Sequence, residues 1–434
     1  MSLITDTHMN RITQLKDCVA WVGIDWADEK HDVALQVAGT QVVERSTLEH
    51  TPEAIAAWVA SLRQRFDSGS IAICLEQARG ALVYALMVHE NLLLYPLNPQ
   101  SLAKFRKALY PSGAKDDPLD ADLLLKLLRH FGEQLRPWRP DDVATRKLGL
   151  LVEARRAFVD RRTSMINELT ASLKSYLPQA FEWAGEDLTG PMATDFLTKW
   201  NRLDVIQKLK PAQLRAFYYG HNSRSEELIA QRLALAKTAV PLTQDEAIVG
   251  ALSLQVQQLA LGLATLRQII ARYDAEIAQL FGVHPDAFIF QSVDGAGSAL
   301  APRLLVSFGS DRERFADADA LPRYSGTAPV TERSGKQKWV HRRWARPKFV
   351  HQSWVEFADQ SRRFSGWAAC CYEHLKHKGM GHWAAIRVLA IKWQRILWRC
   401  WRDRVTYDET IYLKSLQDHG LDTYKNLMDQ NQQH

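Results

Sequence analysis

Two apolar runs that each end on a carboxylate constrain this chain most. Val19 to Ile24 stops at Asp25, and Ile71-Ala72-Ile73-Cys74-Leu75 stops at Glu76. A continuous apolar run reads as a strand covered on both faces. A carboxylate at its tip must be paired or must bind a metal, because a lone buried charge is too costly. Between the two runs, Val33 to Ala38 and Thr40 to Ser46 read as strands, with single Gly39 suited to a tight hairpin. Thr51-Pro52-Glu53 then supplies a cap and a first-position proline for a helix with an apolar face of Ile55, Val59, Leu62 and Phe66. A helix near 80–90, a strand from Leu92 to Leu97 and a helix from Pro99 follow. Three adjacent strands and then alternating helices and strands predict an α/β mixed sheet flanked by helices.

A second acidic segment, Lys115-Asp116-Asp117-Pro118-Leu119-Asp120-Ala121-Asp122, opens the next helix. Pro118 suits the first helical position, which makes Asp117 the N-cap and sets Asp120 three residues on, on the same face. Asp122 turns away and is expected in solvent. An acidic first turn also suits the helix dipole, so capping is the plain reading of this segment taken alone. With Asp25 and Glu76 upstream, convergence of four carboxylates is preferred. Such a set repels itself and needs cations, and hard oxygen ligands select Mg²⁺ or Mn²⁺. Two such ions can activate an attacking oxygen and stabilise a leaving one in phosphoryl transfer. That is the logic of nucleases with a ribonuclease-H-like fold.

Beyond Asp141 the strand signals vanish. A long helix should stop near Pro178. Leu252, Val256, Leu259, Leu263, Leu266, Ile270, Tyr273, Ile277 and Leu280 then step by four and three residues, the seam of a coiled coil. The seam is expected to pair protomers; the alternative is an antiparallel helical hairpin packing on itself. From Val283 onward the reading is helical with a loop-rich centre at Gly326 to Pro347. Ser292 to Gly297 resembles a helix-hairpin-helix turn, or an ordinary turn between helices. Trp354, Trp367, Trp383, Trp393, Trp398 and Trp401 are mostly expected in the core.

Charge is unevenly placed. The net charge is +6, yet residues 331–404 carry 17 Lys and Arg against 5 Asp and Glu, a surplus of 12. A basic module joined to an acidic one points to a polyanion as partner. No run approaches the roughly 20 apolar residues of a membrane span. The five cysteines lack CxxC spacing, which suits a reducing cytoplasm better than a disulfide framework. Cys371, His374, His377 and His382 match no standard zinc spacing and read as structural or surface residues.

Within the basic module, Thr331-Glu332-Arg333-Ser334-Gly335-Lys336-Gln337-Lys338 sets one serine beside a glycine and among cations. A hydroxyl is a poor nucleophile unless a base or nearby positive charge activates it. Ser334 therefore reads either as a nucleophile toward a phosphodiester or as a loop serine touching phosphate. Arg342, Arg343, Arg346 and Lys348 extend the patch, with Trp339 and Trp344 interleaved for base or sugar packing.

Together these pieces resemble the DEDD transposases of the insertion-sequence one-ten family, the bridge-RNA-guided serine recombinases. Gly23-Ile24-Asp25 with Lys30-His31, the strand ending on Glu76, Lys115-x-Asp117-x-x-Asp120-Ala121, Gly326-x-x-Pro329, Ser334-Gly335-Lys336 and Arg342-Arg343 carry the likeness. It implies a RuvC-like, RNase H-like domain at 19–140 after a tail at 1–18. A helical coiled-coil domain at 141–285 and a mainly α-helical transposase domain at 286–434 would follow. It implies that Asp25, Glu76, Asp117 and Asp120 bind Mg²⁺ or Mn²⁺ and that Ser334 joins DNA covalently. Arg333, Lys336, Lys338, Arg342, Arg343, Arg346 and Lys348 would bind nucleic acid. The implied partners are donor and target DNA, a structured non-coding bridge RNA and further copies of the chain as dimer or tetramer, with no membrane. The implied setting is the bacterial cytoplasm, at the nucleoid when acting. The competing readings are a RuvC-like junction nuclease that uses water and a non-catalytic nucleic-acid-binding scaffold.

Overall fold

The computed structural model describes residues 15–67, 69–76, 79–109 and 117–418, without the side chains of 117–119. The chain divides into two compact units between Pro140 and Asp141.

The first unit is built on strands β1 (Ala20–Asp25), β2 (Lys30–Val37) and β3 (Val43–Glu49), helix α1 (Pro52–Phe66), β4 (Ile71–Leu75), α2 (Ala81–Leu86), β5 (Leu92–Pro96), α3 (Pro99–Leu109) and α4 (Asp117–Phe131). The sheet order is β3-β2-β1-β4-β5, antiparallel on the β2 and β3 side and parallel on the β4 and β5 side. This is the mixed α/β sheet that the strand pattern predicts. All five residues of β4 are buried, as a strand between parallel neighbours requires. Thr51 caps α1 by accepting from Ala54 N–H at 3.2 Å, and Ile55, Val59 and Leu62 are its buried residues. The β2–β3 connection is longer than a one-residue turn, because pairing ends at Gln36 and Val43. Gln36 spans it by donating from Nε2 to Thr40 O at 2.7 Å.

Among its described residues the second unit is helical apart from one hairpin. Helix α5 (Val143–Tyr176) is capped by Asp142, which accepts from Thr145 N–H, and it ends two residues before Pro178. The short helices α6 (Ala180–Ala184), α7 (Pro191–Lys199), α8 (Leu203–Gln207), α9 (Pro211–Gly220) and α10 (Glu226–Thr238) lead to α11 (Glu246–Gly282). The remainder is α12 (Ala287–Gln291), α13 (Gly297–Phe308), α14 (Ala320–Ser325), β6 (Val330–Ser334), β7 (Gln337–His341), α15 (Lys348–Ser361), α16 (Gly366–His377), α17 (His382–Asp403) and α18 (Glu409–Asp418).

The apolar seam of α11 closes on α5 and α7 of the same chain, which corrects the expectation that it pairs protomers. Val256, Leu259 and Leu263 share a core with Leu169 and Leu173 of α5 and with Phe196 and Leu197 of α7. At the other end Ile277 and Phe281 meet Leu148 and Val152. Arg155 pairs with Asp274, and Gln255 with Glu168, so α5 and α11 run antiparallel. Periodicity marks the apolar face of a helix without saying what covers it. Against the sequence expectation, α11 is also long and apolar enough to cross a membrane, by length and composition only. Its most apolar window has a mean hydropathy of 1.5 and is 28% buried, and Leu254 and Leu261 face outward.

The C-terminal core gathers Trp354, Trp367, Trp393 and Trp401, all buried, with Trp398 nearly so, while Trp383 is exposed. Ser292 to Gly297 forms the turn between α12 and α13, with Gly295 (φ +83°) packed beside Phe364. The five cysteines are buried free thiols. Cys371, His374 and His377 lie on α16, and His382 Nδ1 is 2.8 Å from the Tyr372 hydroxyl.

Candidate active site

The first unit gathers acids at one edge of its sheet. The parallel register of β1 and β4 ends with Ile24 opposite Leu75, so the next residues, Asp25 and Glu76, leave neighbouring strands at the same edge. Both are partly exposed, and Asp25 also faces Asp32 across the antiparallel pair.

Helix α4 lies directly on β1. A Cβ at Gly23 would sit 2.1 Å from Ala121 O and 2.6 Å from Leu125 N, closer than any side chain allows. Only glycine lets the backbones approach this way. The contact sets Asp120, next to Ala121, beside the strand that ends on Asp25. Asp120 is 3% exposed, and a guanidinium fork from Arg106 of α3 grips it, with Nε donating at 2.6 Å. Asp122 is not solvated as expected; Arg45 of β3 binds it with both arms of its fork, at 2.7 and 3.0 Å. Asp117 begins α4, but its side chain, like all of Asp116, lies outside the described residues.

The turn after Asp25 is braced from within. Ala27 N–H donates to His31 Nδ1 at 3.2 Å, so neutral His31 carries its proton on Nε2, 2.9 Å from His50 Nδ1. Burial, then the neighbouring His50, holds the His31 imidazole below its usual range. Nothing in the sequence beyond a histidine six residues after Asp25 signals this brace.

The oxygen donors are of the kind that suits a hard divalent cation. Among the described residues, however, no three His, Cys, Asp or Glu side chains surround one point as an ion would need. Asp120 already has a cation in Arg106. An ion at this edge that used Asp120 would need it released from Arg106.

The second unit presents the serine. The segment read as loop is a two-stranded hairpin, a correction to the expected loop-rich centre. Ser334 pairs with Gln337, and Gly335 (φ +57°) takes the first turn position, where a left-handed residue is needed. Ser334 is thus the last residue of β6, exposed at the hairpin tip, with no hydrogen bond to its hydroxyl among the described residues. Alternation along the strands separates it from two of its sequence neighbours. Arg333 and Lys338 are directly opposed on the other face, whereas Ser334 shares its face with Glu332, Gln337, Trp339 and His341. Directly opposed like charges are destabilising, which favours an external anion over them. Glu332 Oε2 lies 3.5 Å from His341 Nε2 on the serine's face. Lys336 is in the turn, and Arg342, Arg343, Arg346 and Lys348 follow β7.

Beneath the hairpin root lies a network that sequence reasoning missed. Ser325 is fully buried and accepts from Gln394 Nε2 at 2.9 Å, and Thr327 Oγ1 donates to Gln394 Oε1 at 2.8 Å. His351 Nδ1 donates to Ser325 O at 3.1 Å. Gln394 is 69 positions from Ser325, so no local signal joins them.

Residues 22–178 match the family model for DEDD transposases of the IS110 type, described as a transposase. Residues 287–373 match the model described as "Transposase IS116/IS110/IS902 family". The chain is 29% identical over 399 residues to a mini-circle putative transposase for IS117 from Streptomyces coelicolor, covering 89% of this chain and 95% of that protein. It is 25% identical over 414 residues to an uncharacterized 43.6 kDa protein of insertion element IS110 from the same organism, covering 91% and 96%. A putative transposase, y4uE, from Sinorhizobium fredii is 25% identical over 174 residues, covering 39% and 48%.

Proposed function

The chain belongs to the IS116/IS110/IS902 family of transposases, enzymes that cut and recombine DNA, and on that premise we propose that it does so with Ser334 as nucleophile. The observation that carries this reading is the exposed tip of the β6–β7 hairpin, where the hydroxyl is open to a phosphodiester. Attack would form an Oγ–P bond and break the bond from phosphorus to a deoxyribose oxygen, which leaves as a hydroxyl after taking a proton. The serine proton passes to a base or to water. The seryl phosphodiester conserves the energy of the broken bond, so a second DNA hydroxyl can rejoin it without ATP.

In this proposal the first unit acts as an RNase H-like, RuvC-like metal domain. Asp25, Glu76, Asp117 and Asp120 would hold the divalent ion, Mg²⁺ or Mn²⁺. A bound ion supplies positive charge for the scissile phosphate and the leaving oxygen. The residues 141–285 and 286–434 would act as a helical spacer and a transposase domain. Arg333, Lys336, Lys338, Arg342, Arg343, Arg346 and Lys348 would neutralise backbone phosphates. Guidance by an element-encoded RNA and assembly as dimer or tetramer belong to the proposal through the family likeness, and the surplus of cations suits two nucleic acids.

Asp25→Asn and Glu76→Gln test the metal part. Cleavage should fall to background while DNA affinity stays within about twofold, since affinity rests on the cations. An equal loss of affinity, or a lowered melting temperature with cleavage retained, would make these carboxylates structural.

A further inference from the structure

We infer that Ser325, Thr327 and Gln394 are positioning residues for Ser334: a buried ring of hydrogen bonds among them fixes the root of the β6–β7 hairpin and so aims its tip. The inference deepens the serine reading above and rests on it. The three side chains lie too deep to touch DNA themselves, at 0%, 3% and 0% exposed.

The hairpin is an arm. Every residue of β6 and β7 except Val330 is exposed. From Val330 to Ser334 the arm reaches about 13 Å, at about 3.3 Å per residue. A tilt of about 5° at the root therefore swings Ser334 by about 1 Å, and that much misplacement of a reacting group can slow a reaction about a hundredfold. An isolated hairpin is marginally stable, so its angle must be set where the two limbs enter the core.

Both limbs meet at Ser325 and Gly326. Gln394 Nε2 donates to Ser325 Oγ at 2.9 Å, and Thr327 Oγ1 donates to Gln394 Oε1 at 2.8 Å. Thr327 has then spent its proton, so Ser325 donates to Thr327 Oγ1, 3.1 Å away, and the ring closes. The first pair of the hairpin, Val330 with His341, follows directly after this limb. The returning limb is held at the same point. The Arg346 stem lies on Gly326 (φ +71°), where a Cβ would fall 2.2 Å from Arg346 Cδ. His351, in the first turn of α15, donates from Nδ1 to Ser325 O at 3.1 Å. Burial, then the charge of Arg346, pushes that imidazole down to about 4, so it stays a neutral donor at neutral pH. Gln394 belongs to α17, whose Trp393, Leu397 and Trp401 are buried in the C-terminal core. Apolar contacts have no preferred direction, whereas hydrogen bonds fix angle as well as distance. A closed ring of them ties the arm's angle to the core.

The test compares Thr327→Val, which keeps the shape and removes the hydroxyl, with Thr327→Ser, which keeps the hydroxyl, and with Gln394→Met. Ser307→Ala is the control, since it removes a buried hydrogen bond from Trp354 Nε1 in the same core, on α13. At saturating DNA, Thr327→Val and Gln394→Met should form the covalent protein–DNA adduct about ten to a hundredfold more slowly, with half-saturating DNA within about twofold of the parent. Thr327→Ser should return to within about threefold of the parent rate. Ser307→Ala should keep the parent rate at a comparable loss of melting temperature. Nitroxide labels on Gln337→Cys and Arg399→Cys, both exposed, read the arm without chemistry; the native cysteines are buried. The distribution of label distances should broaden in Thr327→Val and narrow again in Thr327→Ser. An unchanged width, no rescue by serine, or an equal loss of rate in Ser307→Ala would overturn the inference and leave the ring as ordinary core. Absence of any adduct with the parent would sink the serine reading instead, and the distance widths would still decide whether the ring holds the arm.

Discussion

Asp120 and Asp122 each meet a guanidinium fork from their own unit, whereas among the described residues no carboxylate lies within ion-pair distance of Arg342 or Arg346. The acids sit on a sheet and helix packed backbone to backbone at Gly23. The opposed cations Arg333 and Lys338 sit on a hairpin with almost every residue exposed. Two isolated strands are marginally stable in water. The first unit thus balances its charge internally and holds its acids on a rigid frame. The second leaves its charge for a polyanion to balance. A rigid acidic edge suits holding a phosphate still for chemistry, and an uncompensated basic surface suits capturing the strand that carries it.

The largest expected effect comes from breaking the rigid side. Gly23→Val forces a branched side chain into the Ala121 and Leu125 backbone and should cost about 4 kcal/mol or more. Denaturant unfolding measures this, and a loss below about 1 kcal/mol would mean that α4 is not held there. Next, Arg106→Ala leaves Asp120 buried without its cation and should cost about 3 kcal/mol in chelator. Added Mg²⁺ should raise the melting temperature of this variant more than that of the parent, because the freed carboxylate can turn to the ion. Equal Mg²⁺ responses would show that Asp120 takes no part in binding it.

A smaller effect sharpens the basic side. Folded His351 titrates near 4 against an ordinary 6.5, so between those values the unfolded chain binds more protons. Its contribution is complete above about pH 6.5 and is lost as pH falls toward 4, about 2–3 kcal/mol in all. His351→Gln keeps a donor for the Ser325 carbonyl and should flatten that limb of the stability profile. An unchanged limb would place the acid sensitivity elsewhere.

Much of the rigid side was legible in the sequence because its signals are local. Apolar runs ending on Asp25 and Glu76, the Thr51-Pro52 cap and the helix start at Asp117-Pro118 each need only a few consecutive residues. The same locality explains what was missed. Arg106 lies 14 positions before Asp120 and Arg45 lies 77 before Asp122, so only the fold brings these forks to them. The β6–β7 hairpin escaped notice because its faces are exposed and charged, without the alternation a half-buried strand shows. Its signs were the Gly335 turn and the β-forming Val330, Thr331, Trp339 and Val340. Arg333 and Lys338 looked like flanking activators of Ser334 because sequence distance hides the pleat that turns them away. The α11 seam was plain as a pattern, but its partner α5 begins about a hundred residues earlier.

The direct test of the serine is also the smallest perturbation. Ser334→Ala removes one exposed oxygen and should change stability by no more than about 0.5 kcal/mol. Ser325, the nearby serine that also precedes a glycine, cannot serve as a control, since it is buried and bonded to Gln394 and Thr327. Labelled DNA is incubated with the parent or with Ser334→Ala and run under denaturing conditions. The account predicts a covalent protein–DNA adduct with the parent and none with the variant, while both bind DNA equally well. An adduct that persists in Ser334→Ala would place the nucleophile elsewhere, and cleavage without an adduct in either protein would make this a water-using nuclease.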